Sequence, residues 1–178
     1  GLWVVTSNAW NSQRAVTPDD GNIPLRKVTA ITVAAILVQL ILGAGFRHGA
    51  LGIGWHIGGA VVVTLLTAFT AHLVVRRHKG EPYIRRPSIV MALFLLCQVG
   101  LGIGAYVSRL ASVNDPQPLE PMVSLTVAHV VVGALTLASA LILAMRCYQV
   151  LSPRSTEELL PVPLGYGEGL SGREAERA

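Results

Sequence analysis

Charge is scarce in this chain, and acidic charge is missing where buried chemistry would need it. Charged residues make up 13% of the 178 residues and hydrophobic residues 52%, with a mean hydropathy of +0.55. That balance excludes an ordinary soluble domain of this size. No Asp or Glu lies within the four long apolar segments, 26–46, 55–75, 87–108 and 122–146. There are therefore no paired carboxylates for general acid–base work and no obvious proton relay. The chain has 2 cysteines, Cys97 inside the third segment and Cys147 just past the fourth. Neither a disulfide framework nor a zinc spacing can be built from them, and each reads as a small packing residue. A phosphate-binding loop, a nucleophile triad and a metalloprotease signature are also missing. No catalytic residue can be assigned from the sequence.

What is present is membrane-like. Each segment has the roughly 20 apolar residues that cross a bilayer core. The formal net charge of +4 does not indicate a nucleic-acid partner, because the basic residues are distributed as topology signals. Arg76, Arg77, Lys79, Arg85 and Arg86 lie between the second and third segments. Arg14, Arg26 and Lys27 precede the first, and Arg146 and Arg154 follow the fourth. The other two connections carry only Arg47 and Arg109. The richer side is cytoplasmic, so both ends of 26–150 are expected inside and the short connections outside.

Composition divides the remainder. Residues 1–10, Gly1-Leu2-Trp3-Val4-Val5-Thr6 and then a polar stretch with Trp10, read as the end of a preceding membrane helix, which makes the chain the C-terminal part of a longer protein. Residues 11–25, with Pro18-Asp19-Asp20-Gly21 and Pro24, read as a cytoplasmic connector. Pro82 and Pro87 are expected to stop the second helix and start the third. Residues 151–178 read as a flexible cytoplasmic tail.

The domain 26–150 repeats itself. Gln-x-x-Leu-Gly occurs at Gln39–Gly43 and at Gln98–Gly102, and each copy precedes a histidine near the start of the next segment, His56 and His129. Each histidine is followed by a Gly-Ala step, Gly59-Ala60 and Gly133-Ala134, and Arg47 and Arg109 close the Gln-bearing segments. The expected fold is all-α, a membrane four-helix up-down-up-down bundle made of two repeated hairpins. Ionisable side chains inside membrane segments are costly and mark function. Topology puts both imidazoles near the external side, where two neutral imidazoles can hold a heme iron. Gly43, Gly45, Gly58, Gly59, Gly102 and Gly133 supply room beside them, although small residues also serve plain helix packing. Arg47 and Arg109 are the external cations that could pair with heme propionates.

The other histidines compete poorly. His48 follows Arg47 but has no counterpart in the second hairpin. His72, with Met145 at a similar depth, could form a second site, but 16 residues from His56 turn it about 160° around the same helix. His78 lies in the basic loop and is expected to be solvated. With both axial positions filled, a bis-histidine site suits electron transfer better than oxygen activation.

These residues carry a family resemblance. The run Gln39-Leu40-Ile41-Leu42-Gly43-Ala44-Gly45-Phe46-Arg47-His48-Gly49, followed by His56-Ile57-Gly58-Gly59-Ala60, resembles the second half of bacterial heme A synthases. So does Gln98-Val99-Gly100-Leu101-Gly102, followed by Val127-Ala128-His129 and Gly133-Ala134. The resemblance covers about 26–150. It implies a protein of the bacterial inner membrane with two similar four-helix halves, the first handling the heme O substrate and the second holding a heme b cofactor. It assigns His56 and His129 as the cofactor's ligands. This chain lacks the first half, with its acidic residue and external cysteine pair, so completing the oxidation of heme O to heme A requires that half or an equivalent second copy in a homo-oligomer. Two other readings stay open: a small membrane cytochrome b exchanging electrons with quinone or a respiratory complex, and a heme-free membrane scaffold.

Overall fold

A computed structural model describes residues 17–19, 22–112, 114, 116 and 120–152. The expected helix end at 1–10 and the tail beyond 152 lie outside the described residues. The described elements are β1 (Thr17–Pro18), α1 (Leu25–Arg47), α2 (Ile53–Arg77), α3 (Pro82–Ala111), α4 (Glu120–Val150) and β2 (Leu151–Ser152). Each of the four helices is long and apolar enough to cross a membrane. All extend beyond the apolar segments that announced them. At 30 and 31 residues, α3 and α4 reach about 45 Å at 1.5 Å per residue, more than a bilayer core needs.

Packing runs through the pairs α1–α2, α3–α4, α1–α4 and α2–α3. The outward faces are strongly apolar, with Ile31, Ile41, Leu65 and Leu96 each more than half exposed. A water-soluble monomer rarely shows such a surface, whereas lipid accepts it. The buried set is unevenly placed along the helices. It occupies the first parts of α1 and α3 and the latter parts of α2 and α4, with Leu25, Val74, Ile84, Met91 and Leu143 at its centre. Along 37–47, 53–62, 96–111 and 120–132 no residue is fully buried. One end of the bundle is packed and the other is open.

The packed end is unusually rich in hydroxyls. Thr29, Thr32, Thr67, Thr70, Ser88, Thr136 and Ser139 are all buried. Small side chains let membrane helices approach closely, and several of the hydroxyls are satisfied within their own helix, whereas Thr67 Oγ1 finds no partner among the described residues. Thr70 donates to the Leu66 carbonyl at 2.8 Å and Thr136 to the Val132 carbonyl at 2.8 Å. Thr32 and Thr70 also meet across α1 and α2 at 2.9 Å.

A clasp closes this end. β1 pairs in parallel with β2, Thr17 with Leu151 and Pro18 with Ser152. Asp19, 3% exposed, accepts from the Leu25 and Arg26 amides at 2.9 and 3.2 Å. It thereby caps α1 from six residues upstream, where Pro24 has no donor or side-chain acceptor to offer. Thr17 donates to Glu81 Oε1 at 3.1 Å, and Arg77 donates to the Ile23 carbonyl at 2.9 Å. We expect Asp19→Ala to cost about 1–2 kcal/mol of stability, the upper range for losing a cap, and Asp19→Asn to recover about half of it. Thermal unfolding in detergent micelles checks this, and equal melting of all three proteins would contradict it.

Four expectations are corrected here. Pro82, not Pro87, starts α3: it sits in the first turn, where no amide hydrogen is required. Pro87 is carried inside the helix at the cost of one bond to the Tyr83 carbonyl. His78 is buried rather than solvated, and its amide closes α2 on the Val74 carbonyl at 2.9 Å. Residues 151–152 belong to the ordered clasp rather than to the tail. Cys147 packs in the core beside Thr29, whereas Cys97 is exposed on α3 and packs nothing inside.

Candidate functional site

The open end holds both histidines of the repeated pattern. His56 lies in the first turn of α2 and His129 near the start of α4, and their ring centroids are 6.3 Å apart with planes at 77°. Two helices that are not principal packing partners thus bring their imidazoles together.

Each ring is seated by the helix that precedes its own in the chain. Gln39 and Gly43 stand one turn apart on the same face of α1, and Gln98 and Gly102 do the same on α3. A Cβ built on Gly43 would stand 3.1 Å from His56 Cε1, and one on Gly102 would stand 2.9 Å from His129 Cε1. Only a glycine lets these rings lie so close to the neighbouring backbone. The glutamines complete each seat. Gln39 Nε2 lies 3.0 Å from His56 Nδ1 and donates to the His56 carbonyl at 2.8 Å. Gln98 Nε2 lies 3.1 Å from His129 Nε2, and His129 Nδ1 lies 3.0 Å from the Gln98 carbonyl. Gly59 and Gly133 make room for the amides: a Cβ on Gly59 would overlap Gln39 Oε1, and one on Gly133 would stand 3.0 Å from Gln98 Nε2. The same residue types therefore meet twice, although each glutamine reaches a different nitrogen of its histidine.

Two imidazoles this close could together hold one metal ion. Two imidazoles on opposite sides of one ion, each bound through nitrogen at about 2 Å, hold their centroids roughly 6 Å apart. The observed 6.3 Å agrees. A metal-bound histidine commonly gives its other N–H to a carbonyl, and the Gln98 carbonyl already stands at His129 Nδ1. Among the described residues no group of three or more His, Cys, Asp or Glu could hold a bare metal ion. A pair of axial ligands needs no third.

The arginines expected beside this site lie above it. Arg47 ends α1 and is exposed, and the Arg109 guanidinium stacks over the Phe46 ring at 5.0 Å. The stack brings the end of α3 to the end of α1. His48 caps α1 and is exposed. His72 and Met145 are both exposed on the outer surface, as the rotation around α2 required. A groove of about 740 Å³ lies alongside, lined by Leu42, Gly52, Gly54, Trp55, Gly58, Gly59 and Val62, and neither imidazole lines it.

Sequence reasoning placed the glutamines in the repeat but did not pair them with the histidines. The signal was available: a Gln and a Gly at i and i+4 share a helix face, and the Gly marks where the ring must sit. Comparison with known protein families, with curated proteins and with solved structures returns no match.

Proposed function

We propose that this chain is a multi-pass membrane heme protein in which His56 and His129 are the two axial ligands. The observation that carries this reading is the pair of imidazoles 6.3 Å apart, each pressed against a glycine of a neighbouring helix. The twin Gln-Gly-His-Gly seats support an internal repeat, with four helices running up, down, up and down. The basic connections and the clasp then lie on the cytoplasmic side and the histidines towards the outside. When bound, iron protoporphyrin supplies a one-electron couple, and two imidazole ligands suit it to passing electrons rather than to activating oxygen. The protein's part is to hold the rings rigid, exclude water and offer Arg47 and Arg109 to the anionic propionates.

The more specific reading follows the resemblance of the repeated motifs. The chain is the C-terminal, heme b-holding half of a heme A synthase-like oxidoreductase of the bacterial inner membrane, and it supports the oxidation of heme O to heme A. That activity requires the other four-helix half or an equivalent second copy, since the four apolar segments carry no Asp or Glu. The full chain, expressed with abundant heme and purified in detergent, is expected to carry one heme b and to show sharp low-spin bands on reduction. A colourless protein would overturn the reading in favour of a heme-free scaffold.

A further inference from the structure

We propose that the clasp end of α4 seats the phosphate of an anionic phospholipid between Arg26 and Arg146. Its acyl chains lie along the outward face of the same helix. The seat is at the opposite end of the bundle from His56 and His129 and does not depend on a heme.

Charge at the clasp end is one-sided. Among the described residues, Arg26 and Lys27 on α1, Arg76, Arg77 and Lys79 at the end of α2, Arg85 and Arg86 on α3 and Arg146 on α4 face only Asp19 and Glu81. Both carboxylates are already engaged. Asp19 accepts from the Leu25 and Arg26 amides, and Glu81 accepts from Thr17. A basic excess beside membrane helices attracts anionic lipid headgroups. Charge alone marks a leaflet, not a seat.

Two of these cations are held in place. The Arg26 guanidinium lies 4.4 Å from the centre of the Tyr148 ring, and the Arg146 guanidinium 5.6 Å from that of Tyr83. Arg146 also donates to Gln149 Oε1 at 3.0 Å. A ring against the flat face of a guanidinium leaves the N–H fork at its edge, and that fork matches a phosphate. Arg26 Nε is buried and finds no hydrogen-bond partner among the described residues. A half-buried cation of this kind calls for a counter-group.

The two stacks frame the outside of α4. Residues two apart on a helix are turned by about 200°, so Arg146 and Tyr148 leave α4 on different sides. Their partners agree, since Tyr83 belongs to α3 and Arg26 to α1, the helices that α4 packs against. Between these margins Met145 is exposed, with Leu141 exposed one turn further from the clasp. The outward face is therefore cationic at its margins and apolar along its length. A zwitterionic headgroup brings an ammonium to those margins, whereas an anionic one does not. Free phosphate lacks the apolar half.

Native mass spectrometry of the full chain in detergent, titrated with phosphatidylglycerol or phosphatidylcholine, tests the seat. One phosphatidylglycerol is expected to bind more tightly than phosphatidylcholine, and inorganic phosphate is expected not to displace it. Arg26→Gln and Arg146→Gln should each weaken that binding about fivefold, the scale of about 1 kcal/mol per cation at 1.4 kcal/mol per tenfold. Tyr148→Leu keeps every charge and should weaken it about two- to fivefold through the lost stack. It decides the matter even where an arginine variant fails to fold. Arg76→Gln, at an exposed cation of α2, should leave binding unchanged. Equal losses in Arg76→Gln and Arg26→Gln, or none in Tyr148→Leu, would reveal a diffuse basic surface and overturn the seat. Displacement by inorganic phosphate would overturn the lipid assignment. Binding that appears only once Glu157→Gln and Glu158→Gln are combined would give the arginines to the chain's own acidic residues, and would overturn it too.

Discussion

His129→Ala in the heme-loaded protein is expected to abolish the low-spin spectrum and to weaken heme binding by more than about 100-fold, beyond the 10–100-fold that loss of an outer partner costs. The size follows from how the ring is held. His129 Nδ1 stands 3.0 Å from the Gln98 carbonyl, so the imidazole can join α4 to α3 while its other nitrogen serves the site. Removing it leaves a donor and a carbonyl of Gln98 facing space near the membrane interior, where a water or another side chain must replace it. His56→Ala should give a matching spectral loss, because one remaining imidazole cannot keep the iron six-coordinate and low-spin. Optical and electron paramagnetic resonance spectra of the two variants check this. Retained low-spin bands in either would remove that histidine from the ligand set. His72→Ala, at an exposed outer position, is expected to leave the spectrum unchanged.

The second large effect is at Gly102. A methyl group there would stand 2.9 Å from His129 Cε1, and the ring cannot retreat without losing the Gln98 carbonyl at 3.0 Å. Overpacking of this kind costs about 1–3 kcal/mol, which corresponds to roughly 5- to 150-fold in heme affinity at 1.4 kcal/mol per tenfold. Gly43→Ala, at 3.1 Å from His56 Cε1, should act in the same direction and less strongly. Gly100 supplies the control. It lies on the same helix as Gly102 with nothing within 4 Å of a built Cβ, so Gly100→Ala should keep full affinity. Heme transfer to an excess of a scavenging apoprotein measures all three. Equal affinities of Gly100→Ala and Gly102→Ala would show that the glycine does not seat the ring.

Much of the fold was legible because a bilayer constrains a sequence so tightly. Four uncharged runs between basic or Pro-rich connections leave few options besides four spanning helices, and those helices are present. The site was partly legible for a related reason. In an apolar segment the rare residues Gln39, Gln98, His56 and His129 stand out, but the contacts between them were not read from their order. Where the reading failed, the outcome depended on distant partners. His78 looked like a solvated loop residue because its neighbours Arg76, Arg77 and Lys79 are polar, yet it is buried. Pro87 looked like a helix start, but Pro82 had already supplied a better one.

By itself, the sequence determined the four apolar helices and the recurrence of rare polar residues in two copies. Those follow from local composition and from the cost of polar groups in lipid, which operate without reference to the rest of the chain. The tertiary structure alone decided that α2 and α4 bring His56 and His129 to 6.3 Å. It also decided that glycines on α1 and α3 seat the rings, and that the two glutamines hold them through different nitrogens. Distances between helices and the direction of each hydrogen bond depend on how whole helices settle against one another, and no single segment encodes that.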